Sequence, residues 1–259
     1  MYLIETVPLS LAGLMMLASL YLAVEMGYRG RRMLLKREGR KAFGPDGQDH
    51  LLSAVLGLLA LLLGFTFSLA LSRYESRRDL VLQEANALGT AWLRVQLLEE
   101  PARGAMLPLL RQYIDARVEW SETSFPVETD KAGAELQRLL WAELSRAIRT
   151  DSYPGLARSV MEAFNAAFDL ANSREVARSA HLPARVMQVL FLYALLTMGM
   201  LGYNLAGHGK RHRIATLMLV GLLTLALVVI LDIERPRTGS IQVSQAPMEA
   251  LKASLRGQD

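Results

Sequence analysis

The sequence predicts an all-α membrane protein: four transmembrane helices with a helical extramembrane bundle between helices 2 and 3. Three observations predict it. Of 259 residues, 52% are hydrophobic and 21% charged, and the mean hydropathy of +0.22 is high for a chain that folds in water. Four apolar runs, Val7 to Met26, Leu51 to Leu71, Val186 to Asn204 and Ile214 to Leu231, are each long enough to cross about 30 Å of hydrocarbon as a helix. The remaining long stretch, Ser72 to Pro183, has helical periodicity and few strand signals. The segments that follow are residues 1–71 (spans 1 and 2 with a basic loop), 72–183 (extramembrane helices), 184–231 (spans 3 and 4) and 232–259 (a tail).

The first run lacks the basic start of a secretory signal and no small-residue cleavage site follows it, so it reads as an uncleaved span. Its one carboxylate, Glu25, lies one turn before Arg29, where an acid can reach the interface. The second run carries small residues Ser53, Gly57, Ala60, Gly64 and Ser68 at spacings 4, 3, 4, 4. Such a stripe either lets another backbone approach closely, within one subunit or between subunits, or lines a narrow pore. Beyond Leu71 no proline interrupts the chain as far as Glu100, and Val81, Ala85, Leu88, Trp92 and Val95 form a packing seam on a continuation of the same helix. Pro101 suits the first turn of a helix reaching Trp120; TSFPVETD separates it from AGAELQRLLWAELSRAIR, which stops at the Asp151 to Gly155 turn. A further helix places Ala157, Val160, Phe164, Ala167 and Ala171 on one face and leads to span 3. The tail from Asp232 onward has only weak order signals.

A pI near 9.5 raises nucleic acid as a partner, but the location of the charge argues against it. Ser72 to Pro183 holds 14 basic and 16 acidic residues, so the positive excess lies in short loops beside apolar runs, where it anchors the chain to membrane lipid. Ten positives, from Arg29 to Lys41 and from Lys210 to Arg213, lie on one face of the membrane against nine near helix ends on the other, and the margin rests on discounting the long segment, since long loops translocate largely regardless of charge. The positive-inside rule puts that face in the cytoplasm and both termini outside. The absence of Cys excludes disulfides, thiolate nucleophiles and Cys-ligated metals. None of the four His accompanies a recognisable nucleophile motif, and no phosphate-binding loop or EF-hand loop occurs. His208 and His212 have a metal-compatible spacing, but HGKRH reads as a solvated loop among cations, and Glu99-Glu100 as a solvated helix end. No enzyme activity, cofactor or metal is expected.

LLLGFTFSLALSRYESRRDLVLQEANALGTAWLR, together with LDIERPRTGSIQVSQAP after the last span, resembles the bestrophin-like family of mainly bacterial membrane proteins. Leu63-Gly64-Phe65, Leu69 and Arg73-Tyr74 are further similar to the second span of true bestrophins, pentameric chloride channels with an apolar neck on that helix. The resemblance implies a homo-oligomer, a pentamer, that passes small anions across a bacterial inner membrane. It places Phe65 at a neck aromatic and Leu61 where another aromatic would be, and Gly57 replaces a branched aliphatic, so two of three neck positions depart. Gly57, Leu61, Gly64, Phe65 and Ser68 are therefore the expected pore-lining residues. Asp232 and Glu234, followed at once by Arg235, do not match the acidic calcium clasp of animal bestrophins, and no calcium gating through one is expected. The rival expectation is a non-conducting scaffold or sensor that binds a partner through the Val81 to Val95 seam and the tail.

The resemblance also implies a helical region and termini in the cytosol, the reverse of the charge-based orientation, and a chain without native Cys decides between them cleanly. With the basic loops cytoplasmic, Gly44→Cys is shielded from an impermeant thiol reagent in intact cells and Ser124→Cys is labelled; the opposite pattern restores the bestrophin orientation.

Overall fold

The computed structural model describes residues 7–38, 46–122, 127–150, 154–207, 212–236 and 238–256. Gly44, Ser124 and His208 lie outside them. The described residues form helices α1 (Leu9–Glu38), α2 (Asp46–Val95), α3 (Ala102–Glu122), α4 (Val127–Thr150), α5 (Pro154–Ser179), α6 (Ala184–Gly207), α7 (Arg213–Ile233) and α8 (Ala246–Leu255), with no strand among them. Among the described residues four helices are long and apolar enough to cross a membrane. They contain the four apolar runs, the first from Leu9 onward, and the second continues without a break through the Val81 to Val95 seam as a helix of 50 residues.

The chain divides into two compact units. The first comprises Met1–Ser72 and His181–Gln242. In it α1 packs against α6 and α7. The contact with α6 depends on glycine at two positions. A Cβ on Gly202 would lie 1.9 Å from the Val24 carbonyl oxygen, and one on Gly27 would lie 1.9 Å from the Gly199 carbonyl oxygen. Only a hydrogen in place of a side chain permits two helix backbones to meet this closely. Span 2 enters the unit through Leu52, Leu59, Thr66 and Ala70, all buried. Tyr193 Oη of α6 donates to the Val55 carbonyl at 3.3 Å, and Asn204 Nδ2 donates to Asp49 Oδ1 at 2.7 Å. Glu25 pairs with Arg29 one turn on, at 3.4 Å.

The second unit comprises Arg73–Ala180 and Val243–Asp259. Its core joins the seam residues Val81, Ala85, Leu88, Trp92 and Val95 to Met106, Leu110 and Ile114 of α3, Leu140 and Leu144 of α4, and Val160, Phe164 and Ala167 of α5. The Ala157 to Ala171 face is buried as its period requires. Glu100 prepares the start of α3: its Oε2 accepts the Gly104 N–H at 3.0 Å, so this acid satisfies a helix end. Between α5 and α6, residues 180–183 leave the helical conformation, and Pro183, which lacks an N–H and disfavours helix in the residue before it, marks the break.

The tail corrects the expectation of weak order. Residues 232–242 belong to the first unit and 243–259 to the second, where Met248 and Leu255 of α8 are core residues and Leu251 packs against them. The signal was an apolar pattern of only 10 residues, too short to stand out without its partner surface.

Substitution at the close crossing tests the packing of spans 1 and 3. Gly202→Ala forces backbones apart and is expected to lower the thermal unfolding midpoint in detergent, at a cost of roughly 1–3 kcal/mol. Gly221→Ala, where a Cβ would meet nothing within 4 Å, leaves the midpoint unchanged.

Candidate functional site

The five expected pore-lining residues are all on α2, and helical geometry decides which way they face. With Leu59 at the centre of the buried face and about 100° of turn per residue, Ser68 falls diametrically opposite. Gly57 and Leu61 fall within about 20° of that opposite line, Gly64 within about 40° and Phe65 at about 60°, on its flank. Exposure agrees: Leu61 is 57% and Phe65 71% exposed, and Gly57, Gly64 and Ser68 are exposed or partly so. A Cβ added to Gly57 or Gly64 would meet nothing within 4 Å. The structure thus brings the five residues to one face, turned away from the described residues that pack against that helix. Phe67 lies on the other flank and is 41% exposed.

Among the described residues the small-residue stripe is therefore not used for packing, since none of Ser53, Gly57, Ala60, Gly64 and Ser68 is buried. The close helix contact inside the chain is made instead by Gly27, Gly199 and Gly202, which sequence reasoning missed. Their signal is divided between two apolar runs and becomes legible only when those runs are known to cross.

Between Leu51 and Leu71 the helix carries no Asp, Glu, Lys or Arg. Further along α2 the register puts Glu75 and Asp79 within about 20° of the same outward line, and both are exposed. Arg77 falls on the opposite, buried side, 5% exposed, where its Nε donates to the Ala177 carbonyl at 3.1 Å and its Nη2 to the Ala180 carbonyl at 2.7 Å. That guanidinium ties α2 to the end of α5.

Deeper in the second unit, Glu84 of α2 is fully buried and holds two guanidiniums. Arg117 Nε of α3 donates to its Oε1 at 2.5 Å, and Arg174 Nη1 of α5 to its Oε2 at 2.6 Å. Burial opposes the charge on both arginines. At Arg117 the attraction of Glu84 and their hydrogen bond outweigh it and the pKa is raised; at Arg174 burial prevails and the pKa is lowered. The indole of Trp120 takes part from the side, its ring centroid 4.4 Å from Arg117, 5.2 Å from Arg174 and 4.3 Å from Arg178. Arg174 also donates to Gln245 Oε1 just before α8. Tyr113, hydrogen-bonded to Gln137 at 2.7 Å, is pushed up to about 12, chiefly by burial, and stays a neutral phenol.

The LDIERPRTGS motif is a set of ties between helix ends. The Asp232 carboxylate accepts the Ser240 N–H at 2.6 Å and the Ser240 hydroxyl. Glu234 Oε2 accepts the Leu182 N–H at 2.6 Å, and Arg235 Nη1 donates to the Val7 carbonyl at 2.7 Å. Gly239 is required by this loop, because a Cβ there would stand 2.5 Å from Asp232 Oδ1 and 2.7 Å from the Arg235 carbonyl oxygen. Among the described residues no group of three or more His, Cys, Asp or Glu could hold a metal ion. The pairing of His208 with His212 falls partly outside those residues.

Comparison with known proteins brings these features together. Residues 34–248 match the Bestrophin-like domain. A crystal structure of a bacterial bestrophin homolog from Klebsiella pneumoniae, carrying a point mutation, is similar with a TM-score of 0.70 at 14% identity, over 93% of this chain and 98% of that one. The same homolog solved by Zn-SAD phasing gives a TM-score of 0.66 at 13% identity, over 92% of this chain and 96% of that one. A crystal structure described as a membrane protein with a glycine-to-alanine mutation gives 0.70 at 14% identity, over 92% and 96%. Comparison with curated proteins found no match. At these identities the structural likeness shows the fold, and with four apolar helices it describes an integral membrane protein.

Proposed function

The chain belongs to the Bestrophin-like family, and on that footing we propose that it forms a homo-oligomeric channel, a pentamer, conducting small anions along α2. Gly57, Leu61, Gly64, Phe65 and Ser68 face the ion path. The observation that carries this reading is the outward face of α2: open, free of charge across the span, and opposite the face that holds the helix to its own subunit. One chain with four spans has little room for a pore of its own, so such faces from several copies must surround one. With no titratable group on the span, passive permeation fits better than proton-coupled transport. The ring edge of Phe65, electropositive, suits an anion.

The scaffold alternative loses its main support. The Val81 to Val95 seam is 0–6% exposed at its five positions, and Met248 and Leu255 of α8 are buried in the same core, so these side chains are not open to a partner. A specific observation does favour a second conducting reading. Glu75 and Asp79 repeat around the mouth of any symmetric pore lined by this face, and rings of carboxylate draw cations.

Planar bilayer recordings separate the readings. In a salt gradient, reversal near the chloride potential supports anion conduction; reversal near the cation potential that collapses in Glu75→Gln/Asp79→Asn supports the second. In either case Phe65→Ala trims a ring from the constriction and is expected to raise conductance per oligomer severalfold, whereas Phe67→Ala, about 200° around the helix from Phe65, changes it little. Equal effects of the two substitutions would mean that the pore faces another side of α2.

A further inference from the structure

The second unit contains a cavity of about 200 Å³ whose walls come from α3, α4 and α5, with no residue of α2 among them. Tyr113, Arg117 and Trp120 of α3, Gln137 of α4, and Asn172 and Glu175 of α5 supply its polar groups, and alanine and glycine at intervening positions keep it open. Trp120 is 2% exposed, and its Nε1–H is buried without a hydrogen-bond acceptor. A buried donor left unpaired is costly, so such an atom marks a place where an acceptor fits. Tyr113 Oη already accepts from Gln137 Nε2 at 2.7 Å, which leaves the phenol proton to be donated elsewhere. Arg117 and Arg174 share the single carboxylate of Glu84, so this side of the cavity keeps a positive excess. Glu175 is near enough to attract Arg117, yet among the described residues no ion pair joins the two, and the bonds of Arg117 go to Glu84 and the Ala171 carbonyl. Donors and a positive excess on α3, with an unpaired carboxylate on α5, form the complement of a molecule that has one anionic and one cationic end.

We propose that this cavity binds a small amino acid, its carboxylate at the Trp120 Nε1–H, the Tyr113 hydroxyl and the Arg117 guanidinium, and its ammonium at Glu175. The walls discriminate by charge. A plain anion meets repulsion from Glu175, and a plain cation finds nothing to donate to on α3 and is repelled by Arg117. Hydrogen bonds to ionised groups are the strong ones, and each end of a zwitterion makes them here. The volume lies below the roughly 300–1,000 Å³ of drug-sized pockets, which limits the ligand to a short side chain.

The test is calorimetric titration of the full-length protein in detergent with glycine, alanine, serine and β-alanine, and with propionate and propylamine as the two half-ligands. At least one amino acid is expected to bind saturably with a Kd below about 1 mM, and both half-ligands at least roughly tenfold more weakly. Glu175 is exposed, so Glu175→Gln removes the charge without disturbing the fold; it is expected to weaken the amino acid roughly tenfold and not to weaken propionate. Trp120→Phe keeps an aromatic ring beside Arg117, Arg174 and Arg178 but removes the N–H, and is expected to weaken the amino acid roughly tenfold. Absence of saturable binding by all four amino acids overturns the proposal, because water then satisfies the indole. Propionate binding as tightly as the amino acids overturns it too, since the site then takes a plain anion. Unchanged amino-acid affinity in Glu175→Gln also overturns it, since the ligand then lies elsewhere.

Discussion

Hydrocarbon offers no hydrogen-bond partner to a peptide group, and every larger feature of the membrane unit follows from that constraint. Each span must satisfy its backbone internally, so each is a helix, and the difficulty moves to the helix ends. Just outside the spans, Glu234, Asp232 and Arg235 tie the connecting segments, accepting or donating at Leu182, Ser240 and Val7. With apolar side chains on both the lipid and the protein side, the hydrophobic effect does little to hold one span to another, and close packing has to do it. Gly27, Gly199 and Gly202 provide that closeness between α1 and α6.

The same constraint makes the outward face of α2 informative. A face of Gly57, Leu61, Gly64 and Ser68 is smooth, uncharged and unused by the described residues of its own chain. Lipid alone would be covered equally well by larger aliphatic residues, whereas closely spaced small residues favour another backbone or a narrow passage. Beyond the span, the helix is fixed by different means. The buried Glu84 carboxylate holds Arg117 and Arg174 from two other helices, and leaving two guanidiniums without it would cost several kcal/mol, about 3–5 for a broken buried pair. Such a network restricts how far this part of α2 can rotate, which keeps the register of its exposed residues fixed.

Much of this was legible in the amino-acid sequence because long periodic signals are strong ones. The four apolar runs, the Val81 to Val95 seam and the Ala157 to Ala171 face all needed only the 3.6-residue period. Three features were not legible, for related reasons. The glycine crossing is a property of two runs together. Glu84 looks like any acid on a polar helix until Arg117 and Arg174, 33 and 90 residues later, are brought to it. The helix α8 is too short to declare itself, and its order comes from the core into which Met248 and Leu255 insert. The candidate pore residues were found from a stripe and a resemblance; the structure adds that they share a face and that Glu75 and Asp79 continue its line.

Conduction is the central claim, and ion flux from liposomes containing only the purified protein measures it most directly. Salt-loaded vesicles are expected to discharge at a rate that rises with the number of oligomers per vesicle and reaches zero without protein. Protein that is correctly folded and oligomeric by light scattering yet releases no anion or cation above the protein-free rate would contradict it.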